Sequence, residues 1–128
     1  LRSGYTVAWD ADVSERGFSF RSGMALLLDK SIAKDKMFTE KQSEMSTDQD
    51  SRQAAYESYS TTDDHLMHIV GMAKDQFNQP YFIIKNSWGD ENPYGGKQYI
   101  SYPYFKMKTI GIMLHKGALS KAITKKLK

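Results

Sequence analysis

Cysteine is absent from all 128 residues, which removes disulfides, thiolate metal sites and any thiol nucleophile from this chain. The same absence leaves the redox compartment undecided. Long hydrophobic runs are also missing. A bilayer crossing needs roughly 18 or more apolar residues, and the longest uncharged apolar stretch here, GMALLL at 23–28, reads as core material. Charge of one sign does not dominate either: 15 acidic residues are interleaved with 18 basic ones, giving +3 overall and a pI near 9.0, which argues against a dedicated nucleic-acid surface. The opening LRSGYTVAWD lacks an initiator Met, a basic n-region and a signal cleavage site, so the chain reads as cut from something longer. Internal repeats and low-complexity segments are absent.

What remains is the size and composition of one soluble globular domain, 40% hydrophobic and 26% charged. Tyr5, Val7 and Trp9 fall on one face of an extended segment, which predicts a strand within 4–12. The lysine-rich stretch 30–45 reads as loop. Ser46 or Thr47 is placed to cap a helix through DQDSRQAAYESY, whose Ala55, Tyr56 and Tyr59 share a side. Two apolar runs, 66–73 and 80–86, flank a polar loop containing Asp75 and Asn78 and predict a β-hairpin. A Gly-rich loop follows, then strands at QYISY and TIGIMLH joined by a short connector, and a lysine-bearing C-terminal helix with Ala118, Leu119, Ala122, Ile123 and Leu127 at helical spacing. Its lysines read as a solvated face. The order of elements favours an α+β domain built on an antiparallel sheet.

The candidate chemistry lies at the ends of the hairpin, in DDHLMHIVG (63–71) and IIKNSWG (83–89). Early residues of the first strand pair with late residues of the second, so His65 and Asn86 are expected to be neighbours. An amide oxygen so placed can accept the Nδ1 proton of the imidazole and hold its ring in one tautomer. Trp88 is placed to cover the contact and exclude water, with Asp64 as a further supporting residue. His68 should point to the other face of the sheet. A metal-dependent hydrolase using His65, His68 and Asp64 is the alternative chemistry, weakened because a third ligand with matching spacing is not evident; neither metal nor cofactor is expected. His115 reads as a strand-end residue, Trp9 and Tyr99, Tyr102 and Tyr104 as core or interface, and Gly71 as a bulge or close backbone approach.

DHLMHIVG followed by IIKNSWG resembles the histidine and asparagine motifs of papain-like cysteine peptidases. The longer pattern, through YGG, SYPYFKMKT and HKGAL, is similar to the aminopeptidase C and bleomycin hydrolase branch, as is GYTVAWDADVSERGF near the start. PYGGKQY stands where papain itself has a second tryptophan-glycine pair, which fits the aminopeptidase branch better. The resemblance implies that residues 1–128 are a single partial domain, the C-terminal, β-rich half of a papain-like fold. It implies His65 as the catalytic histidine, Asn86 as its orienting asparagine and Trp88 as their shield. The nucleophilic cysteine and the oxyanion-hole glutamine belong to the N-terminal half in that family and are not in this sequence, so the isolated chain is expected to be inactive. Further implications are a peptide substrate, a cytoplasmic location, a homo-oligomeric parent enzyme and an apolar face that the other half would cover. A papain-derived binding or regulatory module without catalysis is the remaining alternative.

Overall fold

A computed structural model describes residues 1–127. Seven strands form one sheet: β1 (Val7–Ala11), β2 (Phe18–Ser19), β3 (Met24–Ala25), β4 (His65–Lys74), β5 (Pro80–Lys85), β6 (Lys97–Ser101) and β7 (Thr109–Leu114). The helices are α1 (Gln49–Glu57), α2 (Tyr102–Lys108) and α3 (Lys121–Lys126), with a 3-10 turn over Lys116–Ala118. The spatial order is β2-β3-β6-β5-β4-β1-β7. Neighbours are antiparallel except β3 and β6, which run parallel, so the expected α+β class holds while the sheet is not purely antiparallel.

Alternation along the strands sends one set of side chains inward. Trp9, Ala11, Met67, Ile69, Ile84 and Ile100 make a buried cluster that Tyr104 of α2 completes from above the sheet. Burying an Ile or Met side chain of this kind contributes roughly 1.5–3 kcal/mol. The polar edges of the two aromatics in this buried cluster are satisfied as well: Trp9 Nε1 donates to Thr109 Oγ1 at 2.8 Å, and the Tyr104 hydroxyl to the Asp12 carbonyl at 2.9 Å. Helix α2 is short because Thr109, extended at ψ 124°, ends it and starts β7.

The β4–β5 hairpin turns where expected. Asp75 organises the turn by accepting from the amides of Phe77 (2.9 Å) and Gln79 (2.8 Å), and Asn78 takes the left-handed conformation at φ 64°. The ladder steps from Ile69↔Ile84 to Gly71↔Ile83, leaving Val70 unpaired as a bulge next to the glycine. Helix α1 starts one or two residues later than expected. Asp48 is its cap and closes a reciprocal pair with Ser51, while the Thr47 hydroxyl donates to the Pro103 carbonyl instead. None of α1's residues is buried, and it is held to α2 by Arg52 donating to the Lys106 carbonyl at 2.8 Å.

Candidate active site

His65 opens β4, and Asn86 follows the last residue of β5. Pairing of His68 with Lys85 brings these strand ends side by side, with His65 Nε2 and Asn86 Oδ1 2.8 Å apart. The orientation of the amide is fixed by its other partners. Asn86 Oδ1 also accepts from the Ser87 amide at 2.7 Å, and Asn86 Nδ2 donates to Gln98 Oε1 at 3.0 Å and to Met67 Sδ at 3.7 Å. An oxygen therefore faces the ring, and the ring nitrogen facing it must donate. Sequence reasoning put Nδ1 in that role; the structure puts Nε2 there. Nε2 is the nitrogen farther from Cβ, so it reaches across to the neighbouring strand, and Nδ1 is left with a lone pair.

Trp88 lies flat on the imidazole, with ring centroids 4.9 Å apart and planes 18° from parallel. Phe18 of β2 and Phe20 just after it meet the indole edge-on at 5.9 and 5.7 Å, so this segment packs against Trp88 and helps hold it. Asn86 is 6% exposed beneath this lid. The loop that carries Trp88 is pinned by Asn92, a residue the sequence reading did not single out. Its Nδ2 donates to the carbonyls of Phe20 and Lys97, and its Oδ1 accepts from the amides of Tyr94 and Gly96. Gly96 has φ +77°, and a Cβ there would fall 2.3 Å from the Gly89 carbonyl oxygen, so only glycine closes the loop.

Asp64 does not bond to His65. Its carboxylate accepts from the Val13 and Ser14 amides (3.1 and 3.0 Å) and from the Thr62 hydroxyl (2.7 Å), clamping the approach to β4 onto the loop after β1. Partial burial pushes this carboxyl up, but the hydrogen bonds from Ser14, Thr62 and Val13 outweigh it and hold Asp64 well below the usual carboxylate range. Beneath it lies a buried ionic group that sequence reasoning missed. Lys108 Nζ contacts Asp12 Oδ2 at 3.1 Å, the Ser60 carbonyl at 2.6 Å and the Glu15 carboxylate. Burial pushes the Asp12 carboxyl up, offset in part by the hydrogen bond and charge of Lys108.

The three histidines are not brought together. His68 is exposed, on the face opposite Met67, with Nε2 2.7 Å from Thr6 Oγ1. His115 accepts from the Gly117 amide through Nδ1 and stacks on Tyr5 at 5.3 Å. Among the described residues there is no group of three His, Asp or Glu side chains arranged to hold a metal, and no helix long and apolar enough to cross a membrane. What the site offers is a shielded imidazole, oriented through Nε2 and free to exchange a proton at Nδ1.

The fold is similar to the crystal structure of PepW from Lactobacillus rhamnosis HN001, with a TM-score of 0.65 and 20% sequence identity over 97% of this chain. The alignment takes up 26% of the PepW chain, so these residues span about a quarter of that protein's length. Among curated proteins none matches. The family model described as papain family cysteine protease matches residues 29–116, well over half of the sequence and inclusive of both strand ends that form the site. On that match, the chain belongs to the papain family of cysteine proteases.

Proposed function

We propose that this chain is the C-terminal, histidine-bearing part of a cysteine aminopeptidase, and that it works with a thiol supplied from outside these 128 residues. The observation that carries the reading is the 2.8 Å contact between His65 Nε2 and Asn86 Oδ1 under Trp88, because it leaves Nδ1 as the proton acceptor. In the reaction, Nδ1 takes the thiol proton and the resulting thiolate attacks the peptide carbonyl. The imidazolium then gives its proton to the leaving amine, and water, activated by the same nitrogen, hydrolyses the thioester. Asn86 keeps the ring in plane through both steps. Trp88 keeps water off the amide, which strengthens its hydrogen bond to the ring.

The aminopeptidase assignment rests on the similarity of HKGAL, SYPYFKMKT and PYGGKQY to the aminopeptidase C and bleomycin hydrolase branch. Peptides are then the substrates, and the partner is a half carrying the cysteine and the oxyanion-hole glutamine. Co-expression of this chain with the segment encoded upstream of Leu1 tests the reading. Hydrolysis of aminoacyl fluorogenic substrates, abolished by a thiol alkylator and by acetylating the substrate amine, is expected. Cleavage indifferent to alkylation would overturn the thiol mechanism, and equal cleavage of acetylated substrates would overturn the aminopeptidase assignment.

A further inference from the structure

Gln98 occupies a position that its strand reserves for an apolar side chain. It alternates with Tyr99 and shares its face with Ile100, it pairs directly with Ile84 across β5, and it is 0% exposed. Its two amide ends fare differently. Gln98 Oε1 accepts from Asn86 Nδ2 at 3.0 Å, whereas Gln98 Nε2 is buried with no hydrogen-bond partner. A buried donor without a partner is unfavourable. Turning the Gln98 amide over does not relieve it, because two N–H groups would then face each other at Asn86. The carbonyl of Gln98 is thus held toward Asn86 at the expense of its own nitrogen.

We infer that Gln98 is a positioning residue that selects which nitrogen of His65 is free for proton transfer. A carboxamide has nearly the same shape after a half-turn about its last bond, so packing alone sets the orientation of Asn86 weakly. Its partners set it. Gln98 Oε1 fixes the nitrogen end and the Ser87 amide, 2.7 Å from Oδ1, fixes the oxygen end. With the amide reversed, Asn86 Nδ2 would donate toward His65 Nε2, and the ring proton would move to Nδ1. The nitrogen needed as the base would then be capped by its own proton. The catalytic consequence rests on the peptidase reading; the setting of the tautomer does not.

The test uses the 128-residue chain and long-range 15N spectra of His65 at a pH where its ring is neutral. The parent should show the Nε2–H form. Gln98→Leu should raise the Nδ1–H form, changing the tautomer ratio roughly 2- to 10-fold, as expected for one lost hydrogen bond. Gln98→Glu keeps an accepting Oε1 and should restore the parent ratio. A folded Gln98→Leu chain with the parent ratio would overturn the inference. If that variant does not fold, the parent decides: slow exchange of the Asn86 side-chain amide protons, with cross-peaks to Gln98, is expected, and exchange at the rate of a solvent-exposed amide overturns the inference. Failure of the peptidase reading would look different, since reconstituted activity would be missing from parent and variants alike while the tautomer still followed Gln98.

Discussion

Lys108 and Asp12, 96 residues apart in the chain, form an ion pair at 3.1 Å with both side chains almost wholly buried. The pair joins the end of β1 to the end of α2, and Lys108 also takes the carbonyl of Ser60 in the segment that leads to His65.

Removing the ammonium by Lys108→Met leaves the Asp12 carboxylate buried and uncompensated, a change that costs about 3–5 kcal/mol in comparable pairs. Urea denaturation followed by tryptophan fluorescence should show that loss. The double variant Lys108→Met with Asp12→Asn should recover part of it. A single-variant loss under about 1 kcal/mol would mean that water reaches the pair.

In the enzyme reconstituted with its thiol-bearing part, His65→Ala should lower kcat by roughly 10²–10⁴-fold, the usual share of a general acid-base residue. Asn86→Ala leaves the base present but unoriented, so its loss of kcat should be smaller, with KM little changed. Steady-state kinetics on one aminoacyl substrate compares the two. An Asn86→Ala loss as large as that of His65→Ala would show that the amide does more than orient the ring.

Glu44 gives a pH signature separate from the site. Burial pushes its carboxyl up, against the Ser101 hydroxyl and the Leu27 amide, which pull it down. A raised folded value means that the native state holds the proton more tightly than the unfolded chain. The associated stability is therefore present below the ordinary carboxylate range and lost as pH rises through the raised folded value. Glu44→Gln keeps an accepting oxygen and cannot ionise, so its melting temperature should exceed the parent's near neutrality and converge with it in acid. Thermal melts at several pH values check this; parallel curves at a constant offset would contradict it.

The chain by itself should hydrolyse no peptide, because His65 has no thiol to deprotonate. It should also associate. Leu66 and Met113, 68% and 74% exposed, stand on the sheet face opposite Trp9, and Trp88 is itself 44% exposed. Sedimentation at rising concentration, alone and with the thiol-bearing part, is the measurement. A monomer at high concentration that binds no apolar dye would count against it.

The hairpin and its two polar ends were legible in the sequence because period-two alternation and a turn built on Asp75 and Asn78 are local signals. His68 on the opposite face followed from the same period. The identity of the ring nitrogen did not follow, since it depends on side-chain torsions that spacing does not encode. Strands β2 and β3 are two residues long and carry no period, and the parallel pairing of β3 with β6 joins segments over 70 residues apart, roughly, with no local mark. At the start of α1, Ser46, Thr47 and Asp48 are all good caps, and the reciprocal bond to Ser51 decided among them. Gln98 does carry a local signal, as a polar residue on the inward phase of QYISY.

The bulge at Val70 gives the hairpin a notch. Sliding β5 along β4 by one residue would shift Asn86 by about 3.3 Å and turn its amide to the wrong face of the sheet. Sliding by two would restore the face but carry the amide about 6.7 Å from the imidazole and set the bulge against a new partner. The two strands therefore have one seating, and the site is either assembled or lost. The turn at 75–79 lies at the opposite end of this lock from His65 and Asn86. A probe carried on the exposed side chain of Gln76, with Asp75 and Asn78 left to close the turn, would sit far from the site and leave the imidazole and its amide in register.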